Sequence, residues 1–74
     1  MKYIQRIIEL REDNDLNQSE VAKILNKSQQ GYSHLENQNA RFTIDDLIKL
    51  CQFYNVSADY ILGFTNTKKE LPKK

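Results

Sequence analysis

Residues 18–35 read QSEVAKILNKSQQGYSHL, and their pattern predicts two short helices joined by a tight turn. Asn17 precedes them as an N-cap residue, and Glu20 follows three positions later, which is the spacing of a capping box. Asn26 is placed to end the first helix, because asparagine tolerates the left-handed backbone conformation of a sharp turn. Ser28 then begins the second helix as its N-cap. The stretch is therefore predicted to fold as a helix, a turn and a second helix.

The two predicted helices carry different surfaces. The first has an apolar face formed by Val21, Ala22, Ile24 and Leu25. The second, over Gln29–Glu36, has apolar anchors only at Tyr32 and Leu35. Its other side is polar and able to form hydrogen bonds: Gln29, Gln30, Ser33 and His34. That polar side is the candidate working surface.

The motif resembles the helix-turn-helix of the lambda-repressor and Cro-like (XRE-type) family at five spaced positions: Gln18, Ala22, Asn26, Tyr32 and Leu35. The resemblance extends over residues 4–63. It implies an all-α, compact five-helix DNA-binding domain in which the helix-turn-helix forms helices two and three. Two positions depart from the family, because Asn26 and Gln38 stand where relatives mostly carry glycine.

The other three helices are predicted from spacing and capping signals. Apolar residues at helical intervals predict a first helix over about 2–12. Thr43, with Asp46 three positions later, predicts the start of a fourth helix. Ser57 caps a short fifth helix, and Gly63 is placed to end it.

The fourth helix carries apolar residues at intervals of three and four, which predicts that they face the core: Ile44, Leu47, Ile48, Cys51 and Tyr54. Cys51 lies inside this stripe and is expected to be a small buried hydrophobic residue. A nucleophilic role would require a nearby base, and the segment offers none.

Length and charge limit the function. Seventy-four residues suit one small domain, predicted over 1–64, with a flexible lysine-rich tail over 65–74 and no separate ligand-sensing domain. The formal charge of +1 is unevenly divided: residues 1–67 hold seven Lys or Arg against nine Asp or Glu, which gives −2. Residues 68–74 hold four Lys against one Glu, which gives +3. Bulk charge does not indicate a nucleic-acid-binding protein, so that interpretation depends on the motif.

Composition also disfavours several other classes of protein. One cysteine cannot form an intrachain disulfide, and one histidine cannot complete a metal site with it, so we expect a cytoplasmic protein without metal or cofactor. There is no apolar run long enough for a membrane span and no signal-peptide pattern. His34 lies on a polar helix surface without a catalytic pocket, so we expect no enzyme, no catalytic residue and no small-molecule ligand.

The resemblance assigns roles to the polar side of the second motif helix. Gln29, Gln30 and His34 match base-facing positions of the family, and Ser33 joins them with a phosphate contact as its alternative. Glutamine also matches the donor and acceptor pair that adenine presents in the major groove. Gln18 matches a phosphate-contacting position, and further phosphate candidates are Lys27, Ser28, Asn37, Asn39 and Arg41.

Arg11 falls on the core-facing side of the first helix, where a charge needs a partner. In the family an arginine at this place commonly pairs with a glutamate that ends the recognition helix, and Glu36 stands there. The alternative is that both side chains are solvated. Gly31 has two open explanations, namely close approach of the backbone to DNA, or a position at which no side chain is needed.

Two functions are carried forward. The first is a sequence-specific transcriptional regulator that binds double-stranded DNA as a homodimer on a palindromic site, with Tyr60, Ile61 and Phe64 at the dimer interface. The second is a protein-interaction module, such as an antitoxin, whose last helix binds a partner protein while DNA binding is secondary. The acidic body of the chain favours this alternative slightly.

Overall fold

The fold was obtained as a computed structural model that describes residues 2–67, and these residues form five α-helices without any strand. The bounds are α1 Lys2–Asp13, α2 Gln18–Ile24, α3 Gln29–Glu36, α4 Ile44–Tyr54 and α5 Ala58–Leu62. The predicted all-α, five-helix class is therefore confirmed. Within this part of the chain, every helix is too short or too polar to cross a membrane.

Each of the helices α2 to α5 begins where its N-cap residue was predicted. The side chains of Asn17, Ser28, Thr43 and Ser57 each accept a hydrogen bond from the backbone N–H three positions later. The caps of α2 and α4 are complete capping boxes, because Glu20 and Asp46 also accept from the cap residue's own N–H. Such caps stabilise a helix by about 1 kcal/mol each.

Four turns use non-glycine residues in the left-handed conformation. Asn26 has φ of 58°, as predicted for the turn between α2 and α3, and Gln38 has φ of 64° directly after the C-cap of α3. Asp15 and Asn55 take the same conformation before α2 and after α4. Gly63, at φ of 86°, ends α5 in the conformation that glycine adopts without steric cost.

The core lies where all five helices meet. α2 packs on α3, and α5 packs on both α1 and α4. The fully buried side chains come from every helix: Ile7, Val21, Tyr32, Leu50 and Ile61. Cys51 is buried beside them, as predicted, and burial raises the pKa of its thiol. The thiol is therefore poorly suited to act as a nucleophile.

The predicted core stripe of α4 is wrong at two positions. Ile44 is 73% exposed and Ile48 is 48% exposed, whereas Leu50, which lies outside the predicted stripe, is fully buried. The apolar residues of α4 cover two adjoining faces of the helix, and the domain covers only one of them. Helical spacing alone does not distinguish these faces, because both contain residues four positions apart.

Arg6 is a buried cation that the sequence interpretation missed. Its guanidinium lies 4.3 Å from the centre of the Tyr60 ring and donates hydrogen bonds to the carbonyl oxygens of Tyr60 and Thr65 and to Asn66 Oδ1. A signal was present, since Arg6 stands four residues before Leu10 and shares its helical face. Arg6 thus holds the start of the predicted tail against α1, while residues 68–74 of that tail lie outside the described residues.

Candidate nucleic-acid interface

The outer face of α3 is formed by Gln29, Gln30, Ser33, His34 and the C-cap residue Asn37. All five are exposed except Ser33, which is half-buried. The opposite side of the helix is buried at Tyr32, Leu35 and Glu36. This division follows the helical repeat, because positions four apart lie on one face. The predicted polar working surface is therefore accessible.

The first turn of α3 has a local reason for its glycine. The Ser28 hydroxyl accepts a hydrogen bond from Gly31 N at 3.0 Å. A Cβ atom at position 31 would lie only 3.1 Å from this hydroxyl oxygen. Gly31 therefore leaves room for the capping side chain, an explanation that the sequence did not supply. The Ser28 hydroxyl is engaged in this cap, which leaves its lone pairs less available for a phosphate contact.

The buried end of α3 is held by an ion pair with α1. Arg11 Nε lies 2.8 Å from Glu36 Oε2, and Arg11 Nη2 lies 3.1 Å from Glu36 Oε1. The contact is a two-pronged one, which fixes the orientation of both side chains. The Glu36 side chain is only 4% exposed, so its charge depends on this partner. The predicted pair of Arg11 and Glu36 is thus present in the structure.

Two further groups complete this polar cluster. Gln18 Nε2 donates to Glu36 Oε1 at 3.0 Å, and Arg11 Nη1 donates to the Leu16 carbonyl oxygen at 3.0 Å. The cluster therefore joins the end of α1, the start of α2 and the end of α3. Gln18, predicted as a phosphate contact, has its amide N–H committed to Glu36. Its role toward DNA is then carried by its remaining groups or by the position it gives to α3.

Electrostatic effects in the cluster favour the ionised pair. Burial by itself raises the pKa of Glu36, but hydrogen bonds from Arg11 and Gln18 outweigh it, so this pKa lies below its ordinary value. The neighbouring Tyr32 hydroxyl adds to the lowering, although its geometry falls outside that of a hydrogen bond. Burial raises the pKa of Tyr32, and it raises that of Tyr54 to about 12. Both phenols are therefore neutral at physiological pH.

The loop between α3 and α4 is fixed at both ends. At its start, the backbone N–H groups of Asn39 and Ala40 both donate to the His34 carbonyl oxygen, at 2.8 and 3.2 Å. At its end, the Phe42 ring packs edge-on against Tyr32 with ring centroids 6.2 Å apart. The side chains of Asn39 and Arg41 between these points are exposed. The loop thus holds two predicted phosphate contacts beside the outer face of α3.

A known sequence pattern coincides with this geometry. The model of the helix-turn-helix family matches residues 7–61, which include the whole of α2, α3 and the polar cluster that joins them. The chain belongs to the helix-turn-helix family. The predicted resemblance is confirmed, and the match covers most of the chain.

Two curated relatives of this helix-turn-helix protein come from Bacillus subtilis (strain 168). The uncharacterized HTH-type transcriptional regulator YobD is 33% identical over 64 residues, which are 86% of this chain and 57% of the relative. The HTH-type transcriptional regulator ImmR is 37% identical over 70 residues, which are 95% of this chain and 52% of the relative. The chain spans about half the length of these relatives. No solved structure matches the chain significantly.

The charge of the helix-turn-helix protein is separated along the chain. Residues 18–43, which contain the motif and the following loop, hold three Lys or Arg against two Asp or Glu, which gives +1. The remainder of residues 1–67 holds four Lys or Arg against seven Asp or Glu, which gives −3. Glu36, one of the two motif acids, is buried against Arg11. The acidic charge of the body therefore comes mainly from segments outside the motif.

Lys27 has a structural partner that the sequence interpretation did not include. Its Nζ lies 3.6 Å from Asp46 Oδ2, and the Asp46 side chain is 6% exposed. The same carboxylate oxygen accepts the Thr43 backbone N–H in the α4 capping box. Lys27 therefore joins the turn of the motif to the start of α4. A substitution of Lys27 would disturb this contact as well as any phosphate contact.

The predicted dimer residues are wrong at two of three positions. Tyr60 is 7% exposed and Ile61 is 1% exposed, so both belong to the core of this domain. Phe64 is 79% exposed and remains available. The aromatic and apolar excess near α5 was correctly noted, but its assignment to the surface required knowledge of which side α1 covers.

Proposed function

We propose that this protein is a sequence-specific DNA-binding transcriptional regulator whose α3 reads the major groove. The observation that carries the proposal is the exposed polar outer face of α3, with Gln29 and Gln30 in its first turn. In helix-turn-helix proteins the N-terminal residues of the second helix contact base edges. A glutamine side chain can form two hydrogen bonds with adenine there. Base reading by these two glutamines is therefore the expected basis of specificity.

The buried cluster beneath α3 supports this function. Arg11, Gln18 and Glu36 connect three helices through hydrogen bonds of 2.8 to 3.1 Å. Base recognition requires side chains held in position by rigid elements. A reading helix fixed from its buried side loses little conformational freedom when it enters the groove. The cluster thus preorganises α3 for binding.

Phosphate contacts position the motif on the duplex without reading sequence. Arg41 is the strongest candidate, because its side chain is exposed on the fixed α3–α4 loop and no partner is found for it among residues 2–67. Asn39 lies in the same loop and can donate hydrogen bonds. Since the described part of the chain has net negative charge, we expect weak non-specific binding that added salt removes readily.

The names of the two curated relatives support the same reading, since both are transcriptional regulators of the HTH type. One reading helix contacts few base pairs, so useful specificity is expected from two copies on a palindromic site. In such dimers the two heads lie about one helical turn apart, ~34 Å. We therefore propose a homodimer on a palindromic or near-palindromic site.

A binding selection on random duplex DNA tests the proposal. Against the selected site, Gln29→Ala should weaken binding by roughly 1–3 kcal/mol and relax the preference at one base pair. Arg41→Ala should weaken binding to the selected and a scrambled duplex alike and reduce the salt slope by about one. Gln5→Ala is the matched control, because this exposed glutamine lies on α1 outside the motif.

Two results would contradict the assignment. Equal weakening of both duplexes by Gln29→Ala would show that Gln29 is not a base reader. A wild-type protein that cannot distinguish the two duplexes would place the protein-interaction module first. That second function is favoured by one observation, namely the exposed apolar side chains of α4 and Phe64.

A further inference from the structure

An apolar groove lies between α4 and α5, on a different part of the surface from the outer face of α3. Its volume is about 360 Å³, and its α4 wall includes Ile44, Ile48 and Cys51. Ala58 and Leu62 form its α5 wall. Ile44, Ile48 and Leu62 are each more than a third exposed, although an isolated domain gains nothing by leaving them in water. This α4–α5 groove therefore has the character of a contact surface.

Phe64 is a prominent aromatic side chain at the edge of the same region. It stands two residues after the groove residue Leu62 and is 79% exposed. Its backbone is fixed, because Gly63 ends α5 in the left-handed conformation and Phe64 N donates to the Asp59 carbonyl oxygen at 2.9 Å. The ring is thus presented from a defined position.

Arg6 fixes the chain on the other side of this ring. Its guanidinium donates to the Thr65 carbonyl oxygen at 3.2 Å and to Asn66 Oδ1 at 2.6 Å. The backbone is therefore held both before and after Phe64, while its side chain is left in solvent. An aromatic residue on a rigid backbone is the usual anchor of a protein interface, because little conformational entropy is lost when it is buried.

We propose that the α4–α5 groove of one copy receives Phe64 of a second copy, and that Phe64 of the first copy enters the groove of the second. The inference deepens the proposed homodimer by naming its contact, and it rests on the proposed function only for the use to which the dimer is put. A twofold interface is self-complementary, so a ring and a groove on one surface are each used twice.

The size of the groove agrees with this occupant. A closed apolar cavity of about 150 Å³ is sufficient to hold benzene. The open groove of about 360 Å³ therefore has room for a phenyl ring together with its surrounding contacts. Its lining is almost entirely apolar, which a phenyl ring satisfies without leaving a polar group unpaired.

The charges near the groove also favour a second copy. Asp45 and Asp59 are exposed beside it in the sequence, and Lys49 is exposed between them on α4. The mixture of signs provides no complement for a strongly acidic or strongly basic partner. It places no single-sign surface against itself in a twofold dimer.

A complementation experiment tests the exchange. Phe64→Ala removes the ring but keeps the groove, and Ile48→Asp obstructs the groove but keeps the ring. Either variant alone should dimerise at least tenfold more weakly than wild type in sedimentation equilibrium of the full chain without DNA. An equimolar mixture of the two should recover part of the dimer, because the groove of the first accepts the ring of the second.

Phe53→Ala is the matched control. Phe53 is 47% exposed on α4 but does not line the groove, and its ring packs against Tyr54 with centroids 5.0 Å apart. This variant should dimerise as wild type does. Circular dichroism of all variants verifies that the exposed substitutions leave the fold intact.

Three outcomes would overturn the inference. They are a monomeric wild type at high micromolar concentration, unchanged dimerisation of Phe64→Ala, or a mixture that dimerises no better than the separate variants. Because dimerisation is measured without DNA, each outcome is distinguishable from a failure of base reading by Gln29. A monomer that still selects one DNA sequence would refute the exchange and leave the proposed regulator standing.

Discussion

The cluster beneath α3 and the α4–α5 groove finish the same small domain in opposite ways. Beneath α3, charged groups are buried and paired, with Glu36 4% exposed against Arg11. Along the groove, apolar groups are exposed, with Ile44 73% in solvent. Both regions reverse the usual distribution of residues between core and surface. Such reversals are informative, because each has an energetic cost that the isolated domain does not recover by itself.

The two regions differ in what can be inferred from them. The buried ions have found their partners inside the domain, so they position α3 and leave its polar outer face free. The exposed apolar residues have no partner inside residues 2–67 that covers them fully. One region therefore points to a rigid reading helix, and the other points to a second chain.

The largest expected effect is the loss of one partner in the buried pair. Arg11→Met should destabilise the domain by about 3–5 kcal/mol, because Glu36 would remain buried and unpaired. The double variant Arg11→Met/Glu36→Gln should lose less than the sum of the two single variants. Denaturant unfolding measures all three. Additive losses would show that the two side chains do not interact, and the cluster would no longer contrast with the groove.

A pair of substitutions within α4 sharpens the contrast between core and groove. Leu50→Ala should cost about 2–5 kcal/mol, since it leaves a cavity in the core. Ile48→Ala, only two residues earlier but 48% exposed, should cost less than about 1 kcal/mol. Thermal unfolding at a concentration where the protein is monomeric measures both. Equal losses would mean that Ile48 is buried in the domain and that the groove is closed.

Acid should weaken the cluster without affecting the groove. The pKa of Glu36 is lower in the folded protein than its ordinary value of 4.5, so its contribution is complete above that value and is lost as pH falls through the folded pKa. The stability difference between wild type and Glu36→Gln should therefore shrink in acid. The effect is smaller than that of Arg11→Met, because protonation keeps the side chain in place. Urea unfolding at pH 7 and pH 3 tests this, and a pH-independent difference would contradict it.

The smallest expected effect concerns the loop that follows α3. Gln38→Gly should stabilise the domain by about 0.5–1 kcal/mol, because glutamine at φ of 64° carries steric strain that glycine lacks. Asn55→Gly, at φ of 56°, is the matched comparison near α5 and should gain less, since asparagine tolerates this conformation. Thermal melting compares the two. A destabilised Gln38→Gly would indicate that the glutamine side chain makes a contact that outweighs the strain.

Much of the fold follows from local signals that single residues carry. The N-caps at Asn17, Ser28, Thr43 and Ser57 were predicted and are confirmed, because a short polar side chain satisfies a backbone N–H three residues away whatever surrounds it. The left-handed turn at Asn26 is local in the same sense. The pair of Arg11 and Glu36 is not local, and it was predicted only because the family resemblance supplied the partner.

The errors share one physical cause. Ile44, Ile48, Tyr60 and Ile61 all occur at helical spacing, and the spacing places them on apolar faces without indicating which face another helix covers. Arg6 was overlooked for the converse reason, since a charged residue beside core positions becomes buried only when a distant carbonyl oxygen accepts its hydrogen bonds. Lys27 was treated as a free charge because its partner Asp46 lies nineteen positions away.

The sequence by itself determined the helix starts, the turn of the motif and the polar character of the outer face of α3, because each depends on hydrogen bonds or repeats within a few residues. Only the tertiary structure decided which apolar side chains form the core and which line the α4–α5 groove. It alone also showed that Arg6 fixes the backbone around Phe64. These outcomes depend on contacts between residues far apart in the chain, whose approach is set by the packing of all five helices at once.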